Sequence, residues 1–381
     1  MAKVFLKDVV QRIKDNVDKD NTQLEYYIGG EHFDSGEIRI TKKGVIKGST
    51  IGPAFHMRFQ PRDVLLMSRN PHLKKAGVVD FEGICSDVSY VCRTKNEQIL
   101  IQDFLPFIFQ TNSFWDFAEA NKKGSTNFFL NWSDFEKYEF ELPSIEKQKM
   151  LADLLWSIID VKYSYKKLYT KSNELIQSRF IEMFSNINET AMLKELSEVS
   201  GGLTKNQQRS KMSLQLPYLR VANVYFGKID TTEILNIGLT EDEYKRTLLK
   251  TGDLLFVEGN GSPEQIGRVA VWNAEINRCV HQNHLIKARF KAKKINSVYA
   301  LYYFMSQKGR NQIKTKAVST SGLYTLSISK IEDLELPVPP IELQNQFAYF
   351  VAQVDKSKLA LQESLDKLEK LQKALIKKYL G

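Results

Sequence analysis

Pro339-Pro340-Ile341-Glu342-Leu343-Gln344 opens a run that contains no further Pro and no Gly until Gly381. Within it Val354, Leu361, Leu365, Leu368, Leu375 and Tyr379 fall on alternating three- and four-residue steps, with Lys358 and Gln372 as polar interruptions. A stripe of that period predicts a helical seam of about 40 residues, about 60 Å at 1.5 Å per residue, of the kind that builds coiled coils.

The same pattern occurs earlier. Pro143-Ser144-Ile145-Glu146-Lys147-Gln148 opens a second run free of Gly and Pro, and a shift of 196 positions (344 − 148) lays it on the first. Leu151 then falls on Phe347, Ala152 on Ala348, Leu155 on Val351, Ile158 on Val354, Tyr165 on Leu361 and Phe180 on Ile376. A period this long exceeds any solenoid repeat, so it reads as a duplicated unit of domain plus helix. The predicted fold class is α+β: a mixed module over residues 1–143, a long helix over 144–187, a second module over 188–339 and a second long helix over 340–381. The two helices are expected to pair antiparallel, with the Leu361–Tyr379 seam against Tyr165–Met183.

Composition bounds the partners. The 381 residues are 43% hydrophobic and 26% charged, and Lys plus Arg exceed Asp plus Glu by 54 to 45 for a net charge of +9. That excess is compatible with a polyanionic partner. Cys85, Cys92 and Cys279 are an odd number without CxxC spacing, which points to reduced thiols and a cytoplasmic location. No segment approaches 18 uncharged apolar residues and no apolar leader follows the first Lys, so neither membrane spanning nor secretion is expected.

Each module reads as short elements between turn signals. In the first, Lys3–Ile13 predicts a short amphipathic helix, Tyr26–Gly30, Glu37–Ile40, Asp63–Met67 and Lys137–Leu142 predict strands, and Glu97–Glu119 predicts a helix despite Pro106. In the second, Leu216–Val224, Gly252–Val257 and Gly267–Trp272 predict strands and Val298–Gln312 a helix. Thr320-Ser321-Gly322-Leu323-Tyr324 answers Gly124-Ser125-Thr126-Asn127-Phe128 of the first module.

Catalytic signatures are missing. There is no GxxxxGK[ST] loop, Gly259-Asn260-Gly261 lacks the third glycine of a dinucleotide fingerprint, and Asn70-Pro71-His72-Leu73 lacks the second proline and aromatic of an amino-methyltransferase motif. His281 and His284 could share a helix face as metal ligands, but no third ligand stands at the needed spacing, so no metal is assigned. No catalytic residue and no cofactor of the chain's own is assigned either. What remains is binding chemistry in loops: Arg58, Arg62, Arg69, Asn70, Lys74, Lys75, Lys123, Ser125 and Asn127 in the first module. The second offers Lys205, Asn206, Gln207, Arg209, Arg220, Asn223, Asn260, Ser262, Asn283, His284, Ser319, Ser321 and Tyr324. Arg, Lys, Asn and Gln read base edges, whereas Lys, Ser and backbone N–H groups hold phosphates. On that division Asn223 and Asn260 are expected to read bases and Lys205 a phosphate.

Leu336-Pro337-Val338-Pro339-Pro340-Ile341-Glu342-Leu343-Gln344-Asn345-Gln346-Phe347, with Gly252-Asp253-Leu254-Leu255-Phe256, Gly267-Arg268-Val269-Ala270 and Ser319-Thr320-Ser321-Gly322, resembles the specificity subunits of type I restriction-modification systems. The resemblance spans the chain and is stronger in the second half. It implies a non-catalytic subunit in which each module is a target-recognition domain for one half of a split double-stranded DNA sequence. It implies helices that set the spacer and dock two methyltransferase subunits, which bind S-adenosylmethionine, with restriction subunits as further partners. The other reading is a coiled-coil adaptor with two protein-binding domains.

Overall fold

The computed structural model describes residues 2–291, 294–320 and 322–380. Two helices of 40 residues, Ile145–Phe184 and Ile341–Leu380, occupy the two striped runs. The chain divides into two compact units, Met1–Lys166 with Gln362–Gly381, and Lys167–Leu361.

In the first unit, an antiparallel sheet runs in the order Val10–Ile13, Ser89–Thr94, Val64–Met67, Ala76–Val78. A second sheet holds Gly44–Val45, Tyr26–Ile28, Gly83–Ser86 and Phe55–Phe59, with a parallel pair at Tyr27 and Ile84. Val64-Leu65-Leu66-Met67 is buried on both faces, which is why it reads as an unbroken apolar run. Because side chains alternate along a strand, Val64 and Leu66 enter a core with Leu6, Phe104, Phe114 and Phe135, while Leu65 and Met67 enter one with Ile28, Phe59 and Val91. Leu151, Leu155 and Ile159 of the first long helix share the former core with Ile376, near the end of the second. Lys162 Nζ donates to Gln372 Oε1 at 2.9 Å and Lys147 lies over the Tyr379 ring.

The second unit repeats the plan: Ser197–Gly201, Leu285–Phe290, Leu254–Val257, Val269–Val271 form one sheet, and Leu235–Gly238, Gln215–Leu219, Val280–His281 the other, again with a parallel pair at Tyr218 and Val280. Leu254 and Phe256 face one core and Leu255 and Val257 another. Here Phe180 and Phe184 of the first long helix meet Phe347 of the second, and Lys358 lies over Tyr169. The contacts correct the expected seam. Within the first unit Lys147 lies over Tyr379 and Ile376 joins Leu151, Leu155 and Ile159, and within the second Phe180 and Phe184 meet Phe347 and Tyr169 meets Lys358.

Two buried fastenings recur. Gln148 and Gln344, each 0% exposed, sit in the first turn of their helices. Gln148 accepts from Ile101 N–H and donates to the Ile99 and Pro143 carbonyls; Gln344 accepts from Asn296 N–H and donates to those of Lys294 and Pro339. Likewise Arg93 grips Asp63, which also accepts from Gln60 N–H, and Arg289 grips Asp253, which accepts from Lys250 N–H.

Several expected elements break. Lys3–Ile13 becomes strand Ala2–Phe5, one helical turn Leu6–Val9, and strand Val10–Ile13, because pairing with Glu139–Leu142 and Ser89–Thr94 suits its β-branched residues better than an isolated helix. Glu37–Ile40 makes only a single bridge, Arg39 to Val78. Glu97–Glu119 shortens to Leu105–Ile108 and Asn112–Ala120, the latter capped by Thr111 Oγ1 accepting from Phe114 N–H. Leu216–Val224 ends as a strand at Leu219 and turns through Val221–Asn223. Val298–Gln312 is cut at Ser306, which caps a second helix, Gln307–Lys316.

Candidate nucleic-acid interface

In the second unit, backbone hydrogen bonds gather four stretches that are far apart in sequence. Leu203 N–H donates to the His281 carbonyl and Asn283 N–H to the Leu203 carbonyl, laying the Lys205 loop beside Asn283. Glu258 N–H donates to the His284 carbonyl, and the Glu258 carbonyl accepts from Leu326 N–H. Asn260 then pairs with Tyr324, and Tyr324 with Ser319, in a three-stranded sheet of Gly259–Asn260, Leu323–Thr325 and Val318–Thr320. Asn260 Oδ1 accepts from Ser262 N–H at 2.9 Å and Ser262 Oγ from Glu264 N–H, so the polar turn is self-supporting. His284 Nδ1 lies 2.7 Å from the Glu258 carboxylate. Lys205 is exposed at the edge of this group. Ser321 lies outside the described residues.

The first unit builds the same juxtaposition. Asn70 N–H donates to the Phe128 carbonyl at 2.9 Å, and Lys123 and Phe129 exchange backbone hydrogen bonds, so a hairpin closes against Arg69 and Asn70. Thus Asn70 stands to Phe128 as Asn260 stands to Tyr324. Ser125 and Asn127 are exposed at the hairpin tip. Gly124 there has φ +94°, and a Cβ would come within 2.7 Å of the Asn127 carbonyl, so the tip requires glycine. Lys123 and Lys137 both bond Asp134, which holds its carboxyl below the usual carboxylate range.

Other expected contact residues are engaged inside the protein. Asn223 is 3% exposed; it accepts from Arg220 N–H and donates to the Asp230 and Glu233 carbonyls, which leaves it no free edge for a base. The expectation that it reads a base is corrected: it closes the turn after Leu219. Arg220 pairs with Glu233. Arg209 donates to the Thr204 and Gly238 carbonyls and to both oxygens of Glu243, which it holds down to a pKa of about 2. Asn206 caps the turn beginning at Gln207 by accepting from Arg209 N–H, with the Gln207 side chain exposed. In the first unit Arg58 pairs with Glu82, Arg62 with Asp103, Lys74 donates to Asn112 and Lys75 to the Gly30 carbonyl. Arg69 is exposed.

The histidine expectation also changes. His281 is in a strand, fully buried, with Nδ1 at 2.9 Å from the Leu285 carbonyl, and burial pushes its pKa down to about 3. His284 sits in a turn, and among the described residues no group of three or more His, Cys, Asp or Glu could hold a metal ion. Sequence reading also passed over Lys287, which is 3% exposed and donates to the Arg246 carbonyl, and Arg310, whose guanidinium lies over Phe226. The first is hidden by its place in the alternating apolar strand Leu285–Phe290. No described helix is long and apolar enough to cross a membrane.

Residues 188–373 match the family described as the type I restriction modification DNA specificity domain. The chain is 29% identical over 195 residues to a putative type I restriction enzyme MjaX specificity subunit of Methanocaldococcus jannaschii, a match covering 50% of this chain and 44% of that protein. It is 21% identical over 349 residues to the type I restriction enzyme EcoKI specificity subunit of Escherichia coli K12, covering 84% and 72%. Among solved structures, the S subunit of a type I restriction-modification system from M. genitalium superposes with a TM-score of 0.59 at 13% identity, covering 100% of this chain and 96% of that one. A likeness at that identity bears on the fold.

Proposed function

We propose, from the match of residues 188–373 to the type I restriction modification DNA specificity domain, that the chain is the DNA-specificity subunit of a methyltransferase complex. Residues 1–143 read one half of a bipartite double-stranded target and residues 188–339 the other. The long helices, over 144–187 and 340–381, pair as an antiparallel coiled coil that sets the unread gap and docks two methyltransferase subunits. S-adenosylmethionine binds to those subunits, the chain itself is non-catalytic, and restriction subunits join the assembly.

The observation that carries the reading is one framework used twice with different exposed side chains. Asn70 beside Phe128 and Asn260 beside Tyr324 occupy the same place, while the surrounding loops differ. Such a pair of units suits two unlike half-sites. The test is reconstitution with a cognate methyltransferase subunit and S-adenosylmethionine, followed by sequencing of the methylated adenines. One interrupted sequence is expected, and none from the chain alone. Methylation or cutting by the purified chain alone overturns the reading. So does a DNA affinity that is weak at every salt concentration, as a protein-binding adaptor would give, because phosphate contacts make affinity fall steeply with salt. Within the complex, Asn260→Ala should relax discrimination at one half-site, whereas Lys205→Ala should weaken all sequences alike.

A further inference from the structure

The units part company after a shared turn. Gly29 N–H donates to His32 Nδ1 at 2.9 Å in the first, and Arg220 N–H to Asn223 Oδ1 at 2.9 Å in the second. The second then builds a paired hairpin, Val224–Tyr225 with Lys228–Ile229, where the first closes only a turn, Glu37 N–H donating to the Asp34 carbonyl at 3.1 Å with Gly36 at φ +74°. Its tip is pinned: Gly227, at φ +67°, donates its N–H to the Val269 carbonyl at 2.8 Å, and a Cβ there would meet the Met305 sulfur at 3.1 Å.

Two aromatic side chains on this hairpin carry guanidinium groups. Arg268 lies over Tyr225 at 5.4 Å and Arg310 over Phe226 at 4.7 Å. Arg310 donates to the carbonyls of Gly267 and Glu264, the turn that runs back to Ser262 and Asn260, so the hairpin adjoins the gathered polar loops. Tyr225 is 46% exposed although a pinned tip needs no large ring in solvent. Arg268 donates to the Val221 carbonyl at 3.1 Å, yet its Nε–H and that of neighbouring Arg220 are buried with no acceptor. The nearby carboxylates are already matched, Glu233 by Arg220 and Glu264 by Lys314.

Resting on the function proposed above, we propose that this hairpin is a second reading element of the second unit, with Tyr225 and Arg268 contacting a base edge of its half-site. A guanidinium laid on a ring is held in orientation before binding, and with Nη2 engaged by the Val221 carbonyl its other terminal nitrogen, Nη1, can donate to a base acceptor in the major groove. Two units with one framework can read unlike sequences only through what they do not share. The first unit's turn carries Asp34 and Ser35 ahead of its glycine where the second carries Tyr225 and Phe226, so the aromatic pair is unshared.

The experiment uses the full chain reconstituted with its methyltransferase subunit and duplexes carrying the methylated bipartite sequence, or that sequence altered base by base in either half. Tyr225→Ala and Arg268→Lys are each expected to reduce discrimination about tenfold to a hundredfold at one position of a single half-site, leaving the other half-site's preferences unchanged. The thermal unfolding midpoint of each variant is measured alongside, and Tyr225→Phe should retain discrimination if stacking suffices. Unchanged preferences in both variants, or equal weakening on every sequence, overturn the hairpin's role while leaving the general reading standing. A wild-type complex that marks no bipartite sequence overturns the general reading and the hairpin's role with it.

Discussion

The two units share a framework, and one strand position within it differs in character. Leu65 pairs with Val91 in the first and Leu255 with Lys287 in the second, at the same place in equivalent sheets. Val91 is an ordinary core residue. Lys287 is as deeply buried and carries an ammonium group whose pKa burial lowers to about 8, with Arg289, Arg246 and Lys250 adding repulsion. The second unit tolerates this because the helix Glu241–Thr247 brings the Arg246 carbonyl over the sheet to accept from Lys287, 3.0 Å away. In chain order the first unit has the strand Phe55–Phe59 there instead. The lesson is that framework fastenings are held fixed between copies, while positions fed by unit-specific insertions are free to change.

The largest expected effect tests the fixed part. Asp63→Ala and Asp253→Ala each remove a buried carboxylate, leave a part-exposed arginine without its partner and strip an acceptor from a turn N–H, so each should destabilise its own unit by about 3 kcal/mol. Hydrogen exchange resolved by unit is the measurement, because a two-unit chain has no single unfolding free energy. If Asp63→Ala loosened its unit and Asp253→Ala did not, the two clasps would not be equivalent.

Next in size is the glutamine fastening. Gln148→Leu and Gln344→Leu fill the same volume but orphan one N–H and two carbonyls at the helix entry, for an expected cost of about 2–3 kcal/mol each. The cost should fall on protection of the segments Ile99–Ile101 and Lys294–Asn296. Protection that stays at the wild-type level there would mean that helix packing alone fixes the entry.

How far these fastenings could be read in advance differs residue by residue. The offset of 196 placed Gln148 on Gln344 and put the Gly124–Phe128 hairpin opposite Thr320–Tyr324, because periodicity and turn residues are local signals. Asn223 and Arg209 show the limit. Both have the composition of groove-reading side chains, yet one is consumed by carbonyls up to 10 residues on and the other by Glu243, 34 residues away. Such partners are set by tertiary approach, which no local pattern encodes. Lys3–Ile13 failed for the same reason, its apolar spacing being answered by strands far along the chain, Ser89–Thr94 and Glu139–Leu142.

The smallest effect separates the changed position from the fixed ones. Lys287→Val makes the second unit copy the first, so it should stabilise that unit by about 1–2 kcal/mol at neutral pH: the fall from 10.5 to about 8 is worth roughly 3 kcal/mol at about 1.4 kcal/mol per pKa unit, and the Arg246 carbonyl left without its donor offsets part of it. The sign follows from proton counting. The folded pKa of about 8 lies below the unfolded value of 10.5, so between those values the unfolded chain holds a proton that the folded chain has released. Wild-type stability therefore rises with pH across that window, and the charge penalty is fully present below about pH 8. The variant's advantage should be constant below pH 8, shrink from pH 8 to 10.5, and level off above it. An advantage that does not vary with pH would mean that a valine side chain simply packs better at this position than the lysine stem, and that the ammonium charge was never the difference between the two copies.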